Sequence, residues 1–188
     1  MEFRNGSSLL GTVTTPPYTF EWTDAPAGSH SLTATAIDAV GETATSPSIP
    51  VTVLTAFDAY REEHFTPAQL EDELLSGPSA DFDHDGFNTL LEHFFGMNPV
   101  SPDRPMLYEA KRADTFGEVS FRHIVATADL EVVVEGSTGL GAWESGGDRL
   151  VFVGSIDHGD GTQTSTYRSL LPDEAKEFFR ISVSLEEP

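Results

Sequence analysis

The chain is 188 residues long and carries 31 acidic side chains against 10 basic ones, a formal charge of -21, and no cysteine. That balance excludes binding DNA, RNA or anionic membrane by neutralising phosphates, which needs Lys/Arg patches, and the cysteine count excludes disulfides, thiol chemistry and cysteine-based zinc sites. No apolar run approaches the ~20 residues of a membrane-spanning helix and the N-terminus has no basic-plus-apolar signal, so any export signal is expected to lie outside these residues.

The length allows one or two domains, and the residue pattern divides into 1–54, 55–103 and 104–188. The first part reads as β. Asn5-Gly6 is a hairpin-turn dipeptide, Tyr18, Phe20 and Trp22 alternate with Thr19 and Glu21 as a half-buried strand, residues 31–37 and 51–54 continue the pattern, and a turn falls at Val40-Gly41-Glu42. The second part reads as helix, loop, helix. Phe57, Tyr60, His64 and Phe65 fall near helical spacing; Thr66-Pro67-Ala68-Gln69 supplies an N-cap, a first-turn proline and a capping-box glutamine before Leu70, Leu74 and Leu75; Gly77 stops that helix. The third part reads as β again, with firm alternation at Leu130, Val132 and Val134 and at Phe179, Ile181, Val183 and Leu185. Further strands are predicted at 118–124, 149–156 and 162–171, with turns at Ser145-Gly146-Gly147 and Gly159-Asp160-Gly161.

Between the predicted helices, residues 81–92 read DFDHDGFNTLLE and match the calcium-loop pattern D-x-[DN]-x-[DN]-G-x5-E at every specified position. Ca²⁺ takes six to eight oxygens, and carboxylates two residues apart turn inward together only where the chain coils around the ion. Asp81, Asp83 and Asp85 have that spacing; Gly86 takes the sharp turn, Phe87 offers its carbonyl, Thr89 acts directly or through water, and Glu92 closes the shell. The plain alternative is a solvated acidic turn, against which stands Glu92 at the last ligand position with Leu90, Leu91, Phe94 and Phe95 around it at helical spacing. Gly77-Pro78 before the loop argues against a long entering helix, so a single structural calcium clip is favoured over a paired calcium switch.

Three stretches resemble known bacterial sequences. Phe3, Asn5-Gly6, Leu9-Leu10-Gly11-Thr12, Pro17-Tyr18, Phe20, Trp22-Thr23, Pro26-Ala27-Gly28 and Leu32-Thr33-Ala34 resemble the later strands of bacterial immunoglobulin-like modules. Such modules have earlier strands that this chain lacks, so the resemblance implies an incomplete sandwich whose edge invites strand pairing. The whole stretch from Phe57 through Pro99, including ADFDHDGFNTLLEHFFGMNP, is similar to an EF-hand-like, dockerin-like calcium segment near the C-termini of large secreted or surface proteins of planctomycete and verrucomicrobial bacteria, with His84 in place of a glycine and Thr89 in place of an asparagine. Val134-Glu135-Gly136-Ser137, Leu140 and Trp143 resemble the terminal β module that follows it. The implied fold is mainly β with a short helical segment: a partial Ig-like sandwich, a helix–calcium loop–helix linker, and a second small antiparallel sandwich.

Other candidates carry less. The six histidines form no HxxxH or HExxH pair, which leaves a catalytic zinc site without support; His84 is expected to point outward and His93 to pack or face solvent. Asp157 and Asp160 form either a weak second calcium site or, as is favoured, a hairpin tip. Trp143 is either a ligand-facing ring or a lid on a small core. No nucleophile, base and orienting group stand at a meaningful spacing. The expected function is therefore non-catalytic: a calcium-stabilised, adhesion-type accessory region at the cell surface or outside the cell, with the ion rigidifying the junction of two β modules. The alternative is recognition of polysaccharide or another surface component through Trp143.

Overall fold

A computed structural model describes residues 1–102, 107–113, 116–125, 128–139, 141–147, 149–171 and 177–186. The boundary expected at 103/104 and the motif residue Leu140 lie outside the described residues. The chain separates into two units, Met1–Thr55 and Ala56–Pro188. Both are mainly β, in keeping with the fold class read from the sequence.

In unit 1, Asn5-Gly6 turns the chain from β1 (Glu2–Asn5) into β2 (Ser8–Thr12) as an antiparallel hairpin. β3 (Gly28–Ile37) pairs with β1, and β4 (Thr43–Thr45) and β5 (Ile49–Val53) both pair with β3, completing one five-stranded sheet. Asp38 holds the β3–β4 turn, its Oδ1 accepting the N–H of Val40 and of Glu42 at 2.9 Å. The register sets Phe3, Leu32, Ala34, Ile49 and Val51 on one face and Ser31, Thr33, Thr35, Thr45 and Thr52 on the other. No residue of this unit is buried.

The strand expected at Tyr18, Phe20 and Trp22 does not form. Pro16 and Pro17 remove two ladder donors just before it, and Tyr18 and Asp24 adopt φ of 54° and 55°, outside the β region. The aromatic rings still find the sheet as a loop: Phe20 stacks on Phe3 with centroids 5.5 Å apart, and Trp22 meets His30 edge-on at 4.9 Å.

Unit 2 opens with four helices: α1 (Ala56–His64), α2 (Pro67–Leu70), α3 (Glu73–Ser76) and α4 (Thr89–Phe95). The capping box forms as read, Gln69 Oε1 accepting the Thr66 N–H at 2.8 Å. The single helix expected from Pro67 to Ser76 is instead two short ones. Asp72 breaks it by turning its own carboxylate onto the Leu74 N–H at 2.9 Å, so that Leu74 stays in solvent.

Among the described residues, five antiparallel pairings build the rest. β6 (Tyr108–Ala113), β7 (Phe116–Ile124), β10 (Leu150–Asp157) and β11 (Thr162–Ser169) form a four-stranded sheet in the order β10-β11-β7-β6, and β8 (Leu130–Ser137), β9 (Glu144–Ser145) and β12 (Phe178–Leu185) a three-stranded one in the order β12-β8-β9. The two sheets and the helices share one core, in which Phe57, Leu90 and Phe94 meet Phe121, Leu130, Val134 and Leu150. The parts read as 55–103 and 104–188 are thus one packed unit. Phe94 has no exposed surface and lies 4.8 Å from the ring of His123, stacked, and 6.2 Å from Phe121.

His123 is buried, with Nε2 at 2.8 Å from Ser165 Oγ. Burial disfavours the cation and pushes its pKa below the ordinary 6.5, outweighing the backbone hydrogen bond at Ile124, which acts the other way. The unfolded chain therefore takes up this proton at a higher pH than the folded one, so stability falls as pH drops below the ordinary histidine range. Calorimetric melting between pH 7 and pH 5 should show unit 2 losing stability on acidification, with a shallower slope in His123→Gln.

Candidate metal centre

The loop between α3 and α4 is closed by backbone before any side chain acts. The Ala80 carbonyl accepts the Thr89 N–H at 2.7 Å and the Thr89 hydroxyl at 3.0 Å, and the Pro78 carbonyl accepts the Leu90 N–H at 3.2 Å. Asn88 caps α4, its Oδ1 accepting the Leu91 N–H at 2.9 Å. Gly96 ends that helix with φ +68°, a conformation glycine takes without a Cβ penalty.

Within the closed loop each aspartate uses one oxygen to shape the backbone. Asp81 Oδ2 accepts from Gly86 N at 3.2 Å, Asp83 Oδ1 from Asp85 N at 3.1 Å, and Asp85 Oδ1 from Phe87 N at 2.8 Å. Gly86, at φ +100°, makes the tight turn these bonds require. One carboxylate oxygen from each of Asp81, Asp83 and Asp85 comes within 4.8 Å of the other two. Asp81 Oδ1 and Asp83 Oδ2 are buried and accept no hydrogen bond. Three carboxylates so close, two of them with a buried and unused oxygen, could hold a metal ion.

The other expected ligands follow the triad in the loop and the first turn of α4. Glu92, in the first turn of α4, has no exposed surface and is not one of the three clustered residues. It and Asp83 both act on Tyr60, whose hydroxyl donates to the Met97 carbonyl at 3.2 Å; burial first, then the charges of Glu92, Asp83 and Glu63, push that phenol far above its ordinary range. Phe87 is half-buried at the position that offers a carbonyl. Thr89 is fully buried and spends its hydroxyl proton on Ala80, which leaves its oxygen lone pairs. His84 is exposed at φ +63°, and His93 packs between the rings of Tyr60 and Phe57, with centroids at 4.7 Å and 5.7 Å.

The remaining candidates sit elsewhere in unit 2. Asp157 and Asp160 flank the tip of the β10–β11 hairpin; Asp157 accepts from Gly159 N at 2.7 Å, and Asp160 pairs with Arg122 at 2.6 Å. The Thr162 hydroxyl, ahead of Arg122, holds the Asp160 carboxyl below its usual range. These are the contacts of a turn. Trp143 precedes β9 and carries the Arg180 guanidinium over its ring at 4.6 Å. Among the described residues no helix is long and apolar enough to cross a membrane. No curated protein and no solved structure matches this chain; residues 1–34, which form β1, β2 and most of β3, match the family model described as a bacterial Ig domain.

Proposed function

We propose that residues 81–92 bind one calcium ion that fixes α4 on the β-sheets of unit 2, and that the chain is a non-catalytic, adhesion-type accessory region of a larger exported bacterial protein. The bacterial Ig match at residues 1–34 supports the accessory role, since domains of that kind are non-catalytic and common in extracellular proteins. The observation that carries the metal reading is the pair of buried, unused oxygens on Asp81 and Asp83 beside Asp85. An all-oxygen donor set without histidine or cysteine suits a hard cation, and the flexible geometry of a short loop suits Ca²⁺ better than octahedral Mg²⁺. Asp81, Asp83, Asp85 and Glu92 would hold the ion, with the Phe87 carbonyl and Thr89 completing the shell.

The ion neutralises crowded carboxylates and relieves the repulsion between them. Its mechanical effect follows from where α4 points. Leu90 and Phe94 belong to the core of unit 2, so a loop held in one shape holds those two side chains in register with Phe121 and Leu130. Calorimetric titration of chelator-stripped protein should give one calcium site, lost in Asp81→Ala and Glu92→Ala and unchanged in Asp157→Ala. Absence of binding heat, or binding that persists in both loop variants, would overturn the proposal.

A further inference from the structure

A run of hydrogen bonds joins two parts of unit 1 through one titratable ring. The Ser31 N–H donates to Asn5 Oδ1 at 3.0 Å, Asn5 Nδ2 stands 2.9 Å from His30 Nδ1, and His30 Nε2 stands 2.8 Å from the Pro26 carbonyl. Asn5 ends β1 at the hairpin turn. Pro26 belongs to the loop that carries Trp22, whose ring meets His30 edge-on at 4.9 Å. Half-buried His30 is thus the piece that ties turn to loop.

The two ends of this run decide every proton in it. A backbone N–H only donates, so Asn5 presents Oδ1 to Ser31 and its NH₂ group to the ring. A carbonyl only accepts, so the ring hydrogen sits on Nε2, toward Pro26. Nδ1 is left as an acceptor, and the ring is the neutral Nε2–H tautomer.

A further proton can go only to Nδ1, where it faces the Asn5 NH₂ group, donor to donor. Turning the amide over gives no relief: Oδ1 then meets Nδ1–H, but the NH₂ group meets the Ser31 N–H. The bond to Pro26 survives protonation, so the charged ring stays with the loop and lets go of Asn5. The neighbouring charges do not offset this. On the sheet face that carries His30, alternation places Phe3, Leu32, Ala34 and Val51, whereas Glu2 and Arg4 fall on the opposite face and pair with each other at 2.9 Å. β3 and β5 carry no other charged side chain, and Glu21 and Asp24, on either side of Trp22 in the loop, are exposed to water.

We infer that His30 is an acid-released clasp: as the neutral ring it ties the β1–β2 turn to the loop of Trp22, and on protonation it frees the one from the other. The inference does not depend on the metal loop. The test uses the full chain. Nitrogen-15 NMR at pH 8 should show the Nε2–H tautomer at His30, and the Asn5 side-chain NH₂ signals should move together with the ring signals between pH 8 and pH 5. Trp22 emission, followed in Trp143→Phe, should show unit 1 melting about 5 °C lower at pH 5 than at pH 8, the worth of one ordinary hydrogen bond in a unit of this size. The fall should vanish in His30→Gln. Asn5→Asp should invert it, because Asp-Gly suits the same turn, one carboxylate oxygen still accepts the Ser31 N–H, and the other accepts Nδ1–H of the charged ring. A role in packing alone would leave the sign unchanged. An Nδ1–H tautomer at pH 8, equal wild-type melting at the two pH values, a fall that persists in His30→Gln, or a fall in Asn5→Asp would overturn the inference.

Discussion

Adding chelator should lower the melting temperature of unit 2 by roughly 10 °C relative to the protein in excess calcium. The size follows from linkage: a ligand present at about a hundredfold its dissociation constant stabilises the form that binds it by about 2.7 kcal/mol, and for a unit of this size each kcal/mol moves the transition by several degrees. The two tryptophans divide the readout, Trp22 falling in unit 1 and Trp143 in unit 2. Emission followed in Trp22→Phe should therefore report the shift, and emission followed in Trp143→Phe should not. Asp81→Ala and Asp83→Ala should melt at the same temperature with or without calcium. In chelator they should match or exceed the wild type, because each removes one member of a cluster whose oxygens lie within 4.8 Å. A wild-type transition indifferent to chelator would remove calcium from the account of stability.

Phe94→Ala should cost unit 2 about 3–5 kcal/mol, the range for deleting a fully buried aromatic ring from a core. Phe94 has no exposed surface, stacks on His123 and tilts against Phe95 and Phe121, so both the lost transfer energy and the cavity fall where neighbours cannot collapse easily. Domains of this size hold only 5–15 kcal/mol in total, so the variant should be marginal at 37 °C. Chemical denaturation followed by near-ultraviolet circular dichroism measures the loss. Calcium should recover part of it in Phe94→Ala and none in Phe94→Ala combined with Asp81→Ala, since the ion fixes the helix that carries the missing ring. A wild-type midpoint in Phe94→Ala would mean that α4 contributes little to the core.

The parts of the fold legible in the sequence are those decided within a few residues. The aspartate loop and the capping box at Thr66 to Gln69 are local chemistry, and β8 and β12 announce themselves by alternation. β6 was hard to read because the alternation of Tyr108 and Ala110 with Glu109 and Lys111 is short and breaks at Arg112; as an outer strand it pairs only with β7 among the described residues. The Tyr18 to Trp22 strand misled for the opposite reason: its alternation is real, but Pro16-Pro17 denies it a ladder, and its rings reach Phe3 and His30 as a loop. Asp72 split a helix by competing for a backbone N–H, a choice that propensity alone leaves open. At the sites, the spacing of Asp81, Asp83 and Asp85 was readable, and Trp143 stood out as an aromatic. The bond between Asn5 and His30 was not, because it joins β1 to β3, which only tertiary packing brings together.

The absence of any buried residue in residues 1–55 sets a limit on how this half of the chain responds to amino-acid change. Truncating a side chain is expensive where it leaves a hole, and a single-layer sheet has no enclosed space in which to leave one. Unit 1 is therefore tolerant ground, where most replacements on either face are nearly neutral, while unit 2 concentrates its vulnerability in a few rings. Within these residues, the replacements expected to cost most are therefore those around Phe94 and Phe121.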